Sequence, residues 1–106
     1  SPDAIIAVND FVALQLLKTL TAIGKRVPDD VLLAGVNGDP DAAEADPPLT
    51  TAVQPCYEIG TTAVSLMFER LANPDSQPRE VFLSARLEER RSTNSCKKAR
   101  KTRGRK

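Results

Sequence analysis

Apolar and polar positions run along this chain in blocks whose period changes, and each change marks an element. Ala4, Ile5, Ile6, Ala7 and Val8 form a continuous apolar run between Pro2 and Asn9-Asp10. A run this short, apolar at every position, predicts a strand buried on both faces of a parallel sheet. From Ala13 the apolar residues recur at helical spacing, as Leu16, Leu17, Leu20 and Ile23, with Gln15, Lys18 and Thr19 set between them and Gly24 as a stop. Asp10 is expected to cap this helix, its carboxylate accepting free amide hydrogens of the first turn. Pro28-Asp29-Asp30 then breaks the chain before a second apolar run, Val31 to Val36, which leaves through Asn37-Gly38-Asp39-Pro40. Strand, helix and strand in this order predict a parallel pair with a right-handed crossover.

The acidic stretch 41–46 is expected to be a loop. After Pro47-Pro48, Leu49 to Val53 reads as a third strand, and Pro55 is placed to open a helix because the amide hydrogen it lacks has no partner in a first turn. Ile59, Ala63, Leu66, Met67 and Leu71 form the predicted buried stripe of that helix, and Asn73-Pro74 ends it. Val81-Phe82-Leu83 is expected to be a last strand continuing toward Leu87. The predicted class is α/β, with order β-α-β-β-α-β and no internal repeat.

Composition narrows the function classes. With 106 residues, 41% hydrophobic and 27% charged, the chain is at most one small domain, neither disordered throughout nor membranous. No apolar run approaches the roughly 18 residues of a spanning helix. The amino terminus lacks the blocks of a signal peptide, but it opens on Ser1-Pro2-Asp3 rather than Met, so the true beginning is expected elsewhere. Cys56 and Cys96 are isolated and histidine is absent, which argues against a zinc site and a disulfide scaffold and suits a reduced, cytoplasmic setting. Without histidine, His-dependent catalysis is excluded within the segment. There is no phosphate-cradling glycine loop, no nucleophile beside a base and no converging carboxylate pair, so an enzyme is disfavoured and no cofactor is expected.

Charge is divided unevenly. Residues 97–106 carry seven cations and no acid, leaving residues 1–96 with a net charge of −6. The end of the chain from residue 94 is expected to be a disordered basic tail. Its cations can displace counterions from DNA, but no aromatic or pattern there reads bases, and a neutral appendage is the other reading. Asp39, Asp41, Glu44 and Asp46 lack the glycine and closing glutamate of an EF-hand, so a solvated acidic loop is expected and no metal.

Ligands of open parallel sheets gather at the carboxyl ends of the strands, where Asn9 and Asn37 stand. The amide of Asn9 offers two donors and an acceptor to sugar hydroxyls or a base edge; alternatively it only closes the turn. Asn37 is either a contact or an ordinary turn residue.

Four segments, in order, resemble the LacI/GalR family of transcriptional regulators from about Pro2 to Thr93. Ala7 to Leu14 resembles the family's "ANDxxAxG" turn, and Gly24 to Gly35 is similar to "GxxVPxDvsvvG". Pro47 to Gln54 resembles "PPLTTvxQ", and Leu83 to Thr93 the closing "LpxxLvxRxST". The resemblance implies the carboxyl-terminal part of a two-lobed effector domain of periplasmic-binding-protein type I fold, with a small polar ligand in the cleft. It places 1–53 mainly in the carboxyl-side lobe, 54–86 mainly in the amino-side lobe, and a return crossing at 87–93. Asn9, Asn37, Gln54 and Cys56 are then the expected effector contacts. Asn37 stands where the family usually carries an aspartate, so affinity or ligand identity is expected to differ from that of familiar sugar-responsive members. Cys56 is either a wall of the site or a small buried apolar residue. The first helix and the acidic loop match surfaces through which relatives form homodimers, which nominates Leu14, Leu17 and Ala45, although leucines at helical spacing also serve as core. Operator DNA would be read by a headpiece absent from these residues. A secreted sugar-binding protein of a transporter shares the fold and is the alternative. Sheet edges and apolar faces are expected to be left open, making the chain loosely packed or poorly soluble when expressed alone.

Overall fold

The computed structural model describes residues 2–95; the cationic run 97–106, and with it most of the expected tail, lies outside the described residues. Contacts divide the chain into one unit that runs to Val53 and resumes at Leu87, and a second unit, Gln54–Arg86.

The first unit is built on a sheet of order β1-β2-β3-β4, with β1 Ala4–Ile6, β2 Leu32–Asn37, β3 Thr50–Val53 and β4 Arg86–Glu88, the last beginning at the boundary. β1 and β2 run parallel with Ala4 opposite Leu32, and β2 and β3 run parallel with Ala34 opposite Thr50 and Asn37 opposite Val53. Helix α1, Asp10–Ala22, crosses from β1 to β2 and packs on β2. The core is small: Ala7, Ala13, Leu17, Leu33, Ala42 and Leu49, with Ile5, Leu14, Leu16, Val27 and Ala45 against it.

Two expectations for this unit need correction. The apolar run at β1 is buried on one face only, for Ile6 and Val8 are 79% and 78% exposed while Ala7 is buried. A strand alternates its side chains, and α1 covers a single face. The acidic stretch is not wholly loop: Pro40–Glu44 forms a short helix, α2, opened by a proline that needs no partner there. Ala42 is buried on its inner side.

The remaining element of the first unit is a turn of 3-10 helix, Arg91–Thr93. Ser92, fully buried, accepts a hydrogen bond from Thr50 N (2.8 Å) and donates one to Leu33 O (2.5 Å). Thr50 Oγ1 accepts from Arg90 N (2.8 Å) and lies 2.6 Å from Thr93 Oγ1, while the Arg90 guanidinium donates to Leu49 O (2.9 Å). The Arg90 to Thr93 segment is therefore a staple that fastens the returning chain onto β2 and β3. Ser95, beyond it, is also buried.

The second unit consists of helix α3, Cys56–Ala72, and the segment after it. No residue of α3 is buried, and the stripe predicted to be core is open, with Met67 51% and Leu71 68% exposed. Val81-Phe82-Leu83 is not a strand: it lines a shallow hollow of about 290 Å³ with Ile59, Ala63 and Leu66 of α3, and ladder pairing starts only at Arg86. Arg79 and Glu69 form an exposed ion pair at 2.7 Å.

Candidate functional site

The carboxyl ends of β1 and β2 are joined by one buried carboxylate. Asn9 has extended backbone and its Oδ1 accepts from Val12 N at 2.8 Å, so Asn9, not Asp10, caps α1. Asp10, one residue into the helix, is fully buried. Its Oδ1 accepts from Thr51 Oγ1 of β3 at 2.7 Å, and its Oδ2 accepts from the backbone N–H groups of Gly38 (2.9 Å) and Asp39 (2.8 Å). A buried carboxylate is tolerated only when donors satisfy it. Here three do so, and the amino end of α1 adds a favourable dipole.

Glycine makes room for this arrangement at two positions. A Cβ on Gly35 would collide with Asp10 Oδ1 and lie 3.2 Å from Leu49 Cδ2. Gly38 has φ +84°, and a Cβ there would sit 2.8 Å from Val53 Cγ1. The residue before it, Asn37, holds φ 137° without being glycine, a disfavoured conformation for any residue with a Cβ. Its Nδ2 donates to Asp39 Oδ1 at 2.6 Å.

Asn9 and Asn37 thus stand on one rim of the first unit, each next to a residue bound to or belonging to the Asp10 network. Both are half-buried. The capping bond engages the carbonyl of Asn9 and the bond to Asp39 engages one N–H of Asn37; among the described residues the NH2 group of Asn9 and the side-chain carbonyl of Asn37 have no further partner. Gln54 and Cys56 fall in the second unit and are exposed, and the Cys56 thiol is free. Cys56 is therefore not the small buried residue that was one of its two readings.

Leu14, Leu17 and Ala45 line one groove of about 460 Å³ between α1 and α2, together with Phe11, Lys18 and Glu44. Leu17 is buried in the core and gives that groove little surface, whereas Leu14 and Ala45 are half-buried and Phe11 is exposed. Before β2, Asp30 accepts from Arg26 N (2.8 Å) and from its Nε (3.2 Å). That hydrogen bond, then the charge of Asp30, raises the pKa of this exposed guanidinium above its ordinary value.

Sequence reasoning missed Thr51, Gly38 and Asp39 as parts of the rim, and Thr50 and Ser92 as parts of the staple. The "PPLTT" and "RxST" segments contain these hydroxyl residues, but they entered as marks of resemblance, without a partner for any of them. Among the described residues no three His, Cys, Asp or Glu side chains are grouped to hold a metal ion, and no helix is long and apolar enough to cross a membrane.

The model of the periplasmic binding protein-like domain matches residues 1–93. The chain is 35% identical over 91 residues to the HTH-type transcriptional repressor PurR of Photobacterium profundum, covering 86% of this chain and 27% of that protein. It is 33% identical over 90 residues to the HTH-type transcriptional regulator CelR of Thermobifida fusca, covering 85% and 26%. A LacI family transcriptional regulator from Arthrobacter sp. FB24, solved in complex with lactose, superposes with a TM-score of 0.75 at 36% identity, covering 87% of this chain and 35% of that one. The chain spans about a quarter of the length of the curated relatives it matches. By sequence along nearly its whole length and by fold, the chain belongs to the periplasmic binding protein-like domain family, in the branch carried by LacI-type transcriptional regulators.

Proposed function

We propose that this chain is the effector-sensing part of a cytoplasmic, repressor-type transcriptional regulator, and that its effector is a small polar molecule, a sugar or related metabolite. The observation that carries the proposal is the Asp10 network, which fixes two amide-bearing strand ends on one rim of a parallel sheet. Strand ends of this kind are where such sheets take their ligands. Asn9 and Asn37 are the proposed contacts from the first unit, and Gln54 and Cys56 the proposed contacts from the second, the latter two on the strength of the family resemblance. In the same reading, residues 1–53 belong to the carboxyl-side lobe and 54–86 to the amino-side lobe. The regulator dimerises through the groove of Leu14, Leu17 and Ala45, where an apolar lining meets charged edges at Lys18 and Glu44. Operator DNA is read elsewhere in the whole protein, by the helix-turn-helix after which its relatives are named. No reaction is assigned to the chain.

Two measurements test this. A ligand at 100 times its Kd stabilises the folded state by about 2.7 kcal/mol, enough for a thermal shift of several degrees. Melting curves with lactose, D-ribose and a purine panel are expected to show such a shift for at least one compound. Disruption of the gene is expected to raise a small set of transcripts. Unchanged transcripts together with flat melting curves would refute the reading.

A further inference from the structure

We infer that Lys25 and Arg91, together with the basic run 97–106, bind the phosphate backbone of duplex DNA without regard to its sequence. The inference takes from the regulator reading only the choice of DNA among polyanions; it needs no effector and no operator. Lys25 and Arg26, just after α1, and Arg91 of the staple line one hollow of about 300 Å³, in whose lining Asp46 is the only acid. Arg26 is paired with Asp30. Lys25 and Arg91 are exposed, and among the described residues neither side chain has an ion-pair partner.

The basic run is tethered to the same unit. Ser92 and Ser95 are buried there, and the run begins two positions after Ser95. A chain spans at most about 3.6 Å per residue, which bounds every cation through residue 106 to within about 40 Å of Ser95. That reach is about one turn of duplex. The run holds seven cations and no acid, and its other residues are only Ala99, Thr102 and Gly104. These three offer no large apolar side chain to insert into a lipid interface and no ring to stack on unpaired bases. What remains is the exchange of cations for condensed counterions. Duplex DNA rewards that most, because it releases more counterions per contact than a single strand does. Residues 1–96 carry a net charge of −6 and repel a polyanion, so binding has to come from these cations.

The test is fluorescence anisotropy of a labelled duplex of about 30 base pairs, titrated with the wild-type chain, with a variant carrying glutamine at all seven cations of 97–106, and with Arg91→Gln. With the whole run engaged, log K is expected to fall against log salt with a slope of about −6, a loss of about a thousandfold or more between about 50 and 200 mM. The seven-glutamine variant is expected to lose binding at low salt while keeping the circular dichroism spectrum of the wild type. Arg91→Gln is expected to make the slope shallower by about 1. A wild-type slope of about −3 or shallower, or a seven-glutamine variant that binds within about twofold of wild type, overturns the inference. A preference of more than about tenfold for one of two unrelated duplexes overturns its indifference to sequence, and an unchanged slope for Arg91→Gln removes the hollow from the site. Displacement by phosphatidylserine vesicles or single-stranded RNA, at equal anionic charge, that exceeds displacement by unlabelled duplex overturns the assignment to DNA. None of these outcomes bears on the thermal shifts and transcripts that test the regulator reading.

Discussion

Replacing Asp10 by alanine should unfasten the rim from the sheet. Gly38 N–H and Asp39 N–H lose their carboxylate, Thr51 loses its acceptor, and a fully buried volume is emptied. Part of the damage is absorbed, because Gly38 N lies 3.3 Å from Thr51 Oγ1 and can lean on it. Asp39 N–H has no such second partner among the described residues. Leaving a buried donor unmet costs about 1–3 kcal/mol, and removing one side of a buried charged network about 3–5 kcal/mol in total. Asp10→Asn keeps the shape and one acceptor oxygen for the two backbone donors, and the Thr51 hydroxyl can turn to accept from the new amide. Its expected cost is about 1–2 kcal/mol. A domain of this size loses about 4–8 °C of Tm per kcal/mol, which separates the two variants clearly. Thermal melts by circular dichroism give the order wild type, Asp10→Asn, Asp10→Ala. Amide exchange at Gly38 and Asp39 should accelerate in the alanine variant before the rest of the sheet does. A Tm for Asp10→Ala within a few degrees of wild type, or no difference between the two variants, would show that the network contributes little.

Other outcomes follow from the same geometry. Asn37→Gly should raise stability by about 1 kcal/mol by relieving the backbone while weakening effector binding, measured by melting and titration of one preparation. Ser92→Ala should destabilise by about 1–3 kcal/mol, since Thr50 N–H loses its acceptor inside the staple; urea unfolding checks this. Gly35→Ala should cost about 1–3 kcal/mol through its collision with Asp10, whereas Arg79→Ala, at an exposed ion pair, should change stability by less than about 1 kcal/mol. The 106-residue chain by itself should bind the dye ANS at the open face of α3, and Met67→Glu with Phe82→Ser should reduce the signal.

The period of the hydrophobic pattern by itself determined where most elements lie, because alternation and helical spacing are local properties that each segment carries with it. That was enough to put Asn9 and Asn37 at strand ends; the resemblance came from four motifs, not from the period. The one-residue error at the helix start shows the limit. Asn9 and Asp10 are both good caps, and the choice fell to Asn9 because Asp10 is drawn to Gly38, Asp39 and Thr51, partners 28, 29 and 41 positions away. No local rule pairs a carboxylate with donors so distant in the chain. The same holds for α3 and Val81-Phe82-Leu83, whose apolar pattern is real but whose burial depends on what packs against them, and for the acidic stretch, where a proline and a buried Ala42 outweighed its loop-like composition. Sequence decided which groups reach the rim; only the tertiary structure decided which carboxylate is consumed in holding it together.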